Sequence, residues 1–202
     1  MKFLLFSDVH CDVQACEQIV AAARHVDFAI GAGDFGLFRK GLDKTFAALS
    51  DIQAPTIVVP GNHESHAELL KACDGLRHFH VLHGNSVRVN GVTFHGLGGG
   101  VPLTPFGPWS VDHSEDEAAA LLPKGAGDHV LVTHSPPFGC LDELSGGEHV
   151  GSRAVRSFVD QTRPLFVVCG HIHEHAGEQS EIDGVPVINA GPRGVEFEYP
   201  DA

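Results

Sequence analysis

Apolar residues gather in short runs that stop abruptly at polar or glycine positions, as in "KFLLFS", "DFAIGAGD", "PTIVVPGNHE", "HVLVTHSPP" and "PLFVVCG". Runs of this length, rich in β-branched residues and ended by glycine or proline, predict buried strands. Between them the apolar positions take helical spacing. Asp12 is placed to cap a helix carrying Ile19, Val20 and Ala23 on one face, and further helices are expected over Leu42–Leu49, 65–72 and 152–161. Strand and helix alternating in this way predict a largely parallel sheet buried on both faces.

Two stretches depart from that alternation. "SVRVNGVTFHG" and "EIDGVPVIN" place Asn90-Gly91 and Asp183-Gly184 between apolar alternations, the two-residue signature of a hairpin, and "VEFEY" is expected to end the sheet. The segments 96–112 and 135–151 are rich in glycine, proline and aromatics and read as long loops. Loops of that length are often functional.

Composition narrows the class. The 202 residues, 43% hydrophobic and 19% charged, suit one globular domain over 1–202. The apolar start is broken by Ser7 and Asp8 before it reaches a signal-peptide core, and no run is long enough to cross a bilayer, so a cytoplasmic protein without membrane association is expected. Five cysteines without a C-x-x-C pair read as small buried thiols. A net charge of −13 disfavours long duplex nucleic acid as a partner. Monomer and homodimer both remain open.

The ends of the predicted strands carry a common cargo: Asp8 and His10 in "SDVH", Asp34 in "GAGD", Asn62 and His63 in "PGNHE", His134 in "VTHSPP", and His171 and His173 in "CGHIH". Ligands of open α/β sheets bind outside the carboxyl ends of strands, so these residues can share one crevice. In extended backbone, residues two apart point to one side, so one strand end could offer two ligands. Singly, each motif is a common turn or helix start. Together they are hard to explain as packing, because buried polar groups need partners.

The ordered set D-x-H, G-D, G-N-H-E, H, G-H-x-H resembles the calcineurin-like metallophosphoesterase family over nearly the whole chain. "HSPPFG", "GGEHVGSRAVRSFV" and "PLFVVCGHIHE" followed by "VINAGP" look like a small, single-domain prokaryotic branch of it. The resemblance implies an αββα sandwich of two mixed sheets flanked by helices. It implies two divalent metal ions, one held by Asp8, His10, Asp34 and His173, the other by Asn62, His134, His171 and again Asp34. His63 matches the catalytic histidine, which is not a ligand, and Glu64 stands where many members have aspartate.

Two cations close together can polarise a phosphate and share a water whose pKa they lower; that bridging hydroxide is the expected nucleophile. Asp34 and Asn62 then belong to the reacting site with His63, which would assist the leaving group or stabilise the transition state. Nitrogen and oxygen ligands without thiolate fit several transition metals and do not choose among them; manganese is the ion expected, with iron, zinc, cobalt or nickel as alternatives. The two ions also outweigh the charges of Asp8 and Asp34, so an acidic protein can still attract phosphate. Phe106 and Trp109 are candidates to stack on the organic group. Arg153, opening a helix whose N–H groups could hold an anion, is a candidate phosphate contact.

The function expected is phosphodiesterase action on small phosphodiesters. A protein or nucleotide phosphomonoesterase and a nuclease on short oligonucleotides share the same ligands, and a metal-binding scaffold is the non-enzymatic alternative. The remaining histidines, His149 and His175 among them, are expected to be structural.

Overall fold

The first apolar run forms β1 (Lys2–Phe6), and the chain proceeds through α1 (Val13–Ala22), β2 (Phe28–Gly31), α2 (Leu42–Leu49), β3 (Thr56–Val58), α3 (His66–Ala72) and β4 (Phe79–Val81). A second half follows with β5 (Asn85–Val89), β6 (Val92–Leu97), α4 (Glu115–Leu121), β7 (His129–Thr133), α5 (Arg153–Thr162), β8 (Phe166–Cys169), β9 (Gln179–Ile182), β10 (Val185–Asn189) and β11 (Val195–Glu198). This is a computed structural model that describes residues 1–123 and 127–200. The strands form a five-stranded sheet, β11-β1-β2-β3-β4, and a six-stranded sheet, β5-β6-β7-β8-β10-β9. In the first, β1 to β4 are parallel and β11 runs antiparallel to β1. In the second, β6, β7, β8 and β10 are parallel, with β5 and β9 antiparallel at the edges.

Strand alternation explains the layers. Phe3, Leu5, Phe28 and Ile30 meet Phe94, Val130, Val132, Phe166 and Val168 between the sheets. Phe3 stacks on Phe28 at 5.5 Å and meets the edge of Phe166 at 4.9 Å. The alternate residues Leu4 and Phe6 face outward onto Ile19, Phe46 and Leu69 from α1, α2 and α3. On the far side Leu131, Val167 and Cys169 pack against Val155 and Val159 of α5 and Ala118 of α4. The result is the four-layer αββα sandwich of two mixed sheets and flanking helices.

Local signals account for most boundaries. Asp12 Oδ1 accepts from the Gln14 and Ala15 amides and starts α1; Ala23 falls in a short 3-10 turn beyond it. Asn90 (φ 48°) with Gly91 and Asp183 (φ 47°) with Gly184 make the two expected hairpins. Two elements depart from the sequence reading. β4 is only three residues long, too short for a period to show. α4, inside a stretch without marked apolar periodicity, is announced by a capping box in which Ser114 and Glu117 satisfy each other's amides. All five cysteines are free, four of them buried. Among the described residues, no helix is long and apolar enough to cross a membrane.

Candidate metal centre

The eight residues singled out at the strand ends come together where the two sheets abut. Asp8 and His10 follow β1, Asp34 follows β2, Asn62 and His63 follow β3, His134 follows β7, and His171 and His173 follow β8. Extended alternation is not what pairs them. Asp8 (φ 54°), His10 (43°), Asp34 (57°) and His171 (68°) are left-handed, and His173 opens a 3-10 turn, His173–His175. Each such conformation in a non-glycine residue costs about 1–3 kcal/mol and persists only where the surroundings impose it.

Backbone bonds supply that imposition. The Asp8 amide donates to Gly33 O at 2.9 Å, His10 N to Asp34 O at 3.0 Å, and Gly170 N to His134 O at 3.0 Å. Two glycines permit the approach: a Cβ at Gly61 would fall on the Asp34 carboxylate, and one at Gly170 on that of Asp8. Glu64, fully buried, ties two of the turns together by accepting from Phe35 N (3.3 Å), Gly36 N (2.9 Å) and Gly61 N (2.7 Å).

Asp34 lies at the middle. Its Oδ1 is 3.5 Å from His134 Nε2, and its Oδ2 is 3.8 Å from both His10 Nε2 and His63 Nε2. On one side His173 Nε2 stands 3.4 Å from His10 Nε2 and 3.6 Å from Asp8 Oδ1. On the other, His134 Nε2 faces Asn62 Oδ1 and His171 Nδ1, each at 3.1 Å. The opposite ring nitrogens are fixed: His10 Nδ1 lies 3.1 Å from Gly36 O and His134 Nδ1 2.8 Å from Ala32 O. Such backbone partners point the remaining nitrogen toward a metal.

Charge at the centre fits cations. Burial opposes ionisation of Asp34, yet His134, His63 and His10 hold its carboxyl well below the usual range. Burial opposes the charge of Asp8 too, and His173 and His134 overcome it. Burial would depress His134, but Asp34 and Asp8 lift it to about 9, so positive charge is stabilised where a ligand nitrogen faces both carboxylates. Burial pushes His171 down to about 4 and keeps it a neutral donor. Asp8 with His10 and His173, and Asp34 with His134 and His171, each bring ligand atoms within 4.8 Å of one another. His10, Asp34 and His63 form a third such group.

His63 is oriented differently from the others. Its amide donates to Asp34 Oδ1 at 2.9 Å, and its Nδ1 accepts from Phe38 N at 3.0 Å, which leaves the proton on Nε2. Trp109 packs edge-on against the ring at 4.5 Å, with Phe106 stacked behind Trp109 at 5.7 Å. Trp109 therefore braces His63, while Phe106 and the apolar residues Val101, Pro102 and Leu103 line a cleft of about 980 Å³ that opens over the centre. Arg153 does not line that cleft; its guanidinium lies over the Phe138 ring at 3.9 Å. The N–H groups expected to hold a substrate anion at the start of α5 are taken by Glu115, which accepts from Arg153 N at 2.8 Å and Ala154 N at 2.7 Å.

Several participants carry no sequence signal that singles them out. Asn62 Nδ2 donates to Ser110 Oγ (3.0 Å), which donates to Asp112 Oδ1 (2.7 Å), so the amide is held with its oxygen toward His134. His175 is a fastener: its Nδ1 lies 2.7 Å from Glu178 and its Nε2 3.0 Å from Glu143 O.

Comparisons with known proteins bear on the family and the fold. A family model described as the calcineurin-like phosphoesterase superfamily domain matches residues 1–199. Among curated proteins, UPF0046 protein K07C11.7 of Caenorhabditis elegans is 31% identical over 137 residues, covering 60% of this chain and 46% of its own length. A second Caenorhabditis elegans protein, UPF0046 protein T07D4.2, is 31% identical over 117 residues, 54% of this chain and 27% of its own length. The match thus spans less than half the length of either relative. The crystal structure of TT1561 of Thermus thermophilus superposes with a TM-score of 0.75 at 18% identity, covering 94% of this chain and 88% of that one. A dimetal phosphatase from Danio rerio gives 0.63 at 14% identity, with 94% and 86% covered.

Proposed function

We propose that this chain, which belongs to the calcineurin-like phosphoesterase superfamily, is a two-metal hydrolase of small phosphodiesters. The observation that carries the reading is one buried carboxylate, Asp34, standing between two sets of histidines, with Oδ2 3.8 Å from His10 Nε2 and Oδ1 3.5 Å from His134 Nε2, and with His63 Nε2 3.8 Å from the same Oδ2. Asp8, His10, Asp34 and His173 would hold one ion, and Asp34, Asn62, His134 and His171 the other. Two divalent ions, manganese first, would polarise the phosphoryl oxygens and lower the pKa of an attacking water.

The chain's own residues supply the rest. His63, with its hydrogen on Nε2, is set to give a hydrogen bond to a phosphoryl oxygen or to the leaving oxygen as charge develops there; passing on a proton would require the protonated ring. Phe38 N and Trp109 keep the ring from turning away. Among the described residues, no lysine or arginine lines the cleft, whereas Glu148 and Glu174 do. A singly charged diester meets less repulsion there than a doubly charged monoester.

The test is hydrolysis of bis(p-nitrophenyl) phosphate and p-nitrophenyl phosphate by metal-stripped protein, with and without Mn²⁺. Metal-restored turnover favouring the diester supports the reading; preference for the monoester replaces it with a phosphatase. His63→Ala is expected to keep both metals and lose about 10² to 10⁴ in kcat. Loss of a metal instead would make His63 a ligand.

A further inference from the structure

The loop 135–151 is organised around a buried carboxylate. Asp142, 1% exposed, accepts at Oδ2 from Gly139 N (2.9 Å) and Gly151 N (3.0 Å), and its Oδ1 lies 2.7 Å from His149 Nδ1. A carboxylate can only accept, so Nδ1 carries the hydrogen; Nε2, left out of this arrangement, accepts in the neutral ring and donates in the imidazolium. Closing the loop does not need the imidazole. The Asp142 bonds to Gly139 and Gly151, with Val150 N on Asp142 O and Ser152 N on Pro136 O, already close it. The ring lies instead at the cleft, its side chain 43% exposed, beside Leu144, Glu148 and Val150.

The wall it belongs to faces the same space as the metal centre. Val101, Leu103 and Phe106 line that cleft from another loop, and His175 fastens the 135–151 loop, through Glu143 O, to the turn that carries His173. An imidazole held by a buried carboxylate presents one defined nitrogen, Nε2, to the cleft, and that nitrogen is a donor when the ring is protonated.

We infer that His149, braced by the positioning residue Asp142, is a substrate-binding residue that in its imidazolium form donates from Nε2 to a substrate oxygen. The same walls select esters with one phosphate and an apolar or planar organic group over nucleoside polyphosphates. This rests on the phosphoesterase reading for the nature of the reacting group. The Asp142 hydrogen bond, then its charge, raises the His149 pKa above the ordinary imidazole value; Glu143 adds to the rise and His175 opposes it. Relative to an ordinary imidazole, more of the imidazolium, the form whose Nε2 donates, is therefore present at a given pH. The absence of lysine and arginine from the described cleft lining, with Glu148 and Glu174 present, leaves a second phosphate without a partner.

The test uses the full Mn²⁺-loaded chain. Calorimetry would give affinities for phenylphosphonate, AMP and ADP, and kinetics would give KM and kcat on bis(p-nitrophenyl) phosphate. His149→Gln is expected to weaken phenylphosphonate and raise KM about tenfold, with kcat within about threefold. Manganese content and melting temperature should not move. His149→Phe, which keeps a ring and loses the donor, should show the same loss, and ADP should bind no more tightly than AMP. Unchanged affinity and KM in both variants would reduce His149 to a loop residue, and ADP binding much more tightly than AMP would overturn the single-phosphate selection. Calorimetry separates the two readings: phenylphosphonate binding that depends on His149 in a protein that turns over no ester keeps this inference and removes the phosphodiesterase.

Discussion

The two ends of the cleft are built by different means. At the floor, Asp8, Asp34, Asn62 and His134 are buried, several backbone positions are left-handed, and nearly every polar atom has a named partner. At the mouth, Leu103 and Phe106 are 65% and 49% exposed on a loop held in part by Asp112, whose Oδ2 accepts from Thr104 N (2.9 Å) and Thr104 Oγ1 (2.6 Å). Groups that must meet reacting atoms need positions fixed before substrate arrives, and that requires burial and imposed strain. Groups that only choose among organic substituents can sit on loops, where apolar area is available to the ligand. Under the proposed function, chemistry and selectivity thus fall to separate parts of this molecule.

Asp34→Asn would break that comparison most sharply. Asparagine keeps an acceptor for the His63 amide and nearly the same volume, but removes the charge that His10, His63 and His134 converge on. Both metals should be lost, and hydrolysis should fall by on the order of 10³-fold or more. Elemental analysis after gel filtration, beside the rate, checks it. Retention of two ions per chain would mean that Asp34 does not join the two ligand groups.

The same division explains what the sequence could disclose. Strand ends are legible, because an apolar run that stops at Asp or His marks both the element and its cargo; Asp8, Asp34, His134 and His171 are marked in this way. Hairpins at Asn90-Gly91 and Asp183-Gly184 are equally plain, since few dipeptides accept two left-handed positions. The left-handed turns after β1 and β8 are not visible, because nothing in "SDVH" or "GHIH" distinguishes an extended pair from a turn. The mouth is barely legible. Asp142 and His149 lie seven residues apart in a loop, and only the closure of that loop brings their side chains to 2.7 Å. Ser110 and Asp112 look like ordinary loop residues until Asn62 is placed beside them. Arg153 shows the converse: its helix start is plain in the sequence, but Glu115, from an α4 that no apolar period announces, occupies the amides there.

A smaller effect would sharpen the comparison, because a side-chain hydrogen-bond chain runs from floor to mouth. Ser110 Oγ accepts from Asn62 Nδ2 at 3.0 Å and lies 3.2 Å from Thr104 Oγ1. Ser110→Ala leaves the fold in place but frees the Asn62 amide to rotate its oxygen away from His134. About a 10- to 100-fold loss of affinity for the more weakly held metal is expected, the range for partners that orient a ligand. Metal titration followed by calorimetry reads it. An unchanged isotherm would show that Asn62 is held by other means.

The smallest effect expected is in the pH dependence of stability, and it has opposite signs at the metal centre and at two partly buried histidines outside it. Burial, with His113 and His66 nearby, depresses His83 to about 4, and burial with His129 depresses His95 to about 4. His83 Nδ1 accepts from Gly98 N at 3.1 Å, at the root of the mouth loop, and cannot do so once protonated there. The unfolded chain binds protons at these two sites from about pH 6.5 downward and the folded chain only near pH 4, so their contribution is complete above 6.5 and lost as pH falls through that window. His134 has the opposite sign, because its raised value makes metal-free protein lose stability as pH rises from about 6.5 through about 9. A bound ion takes the place of that proton, so the alkaline loss belongs to stripped protein alone. Melting temperatures of stripped protein should therefore fall by a few degrees on both sides of neutrality, while loaded protein should lack the alkaline fall. An alkaline fall of equal size with metals bound would mean that His134 is not a ligand.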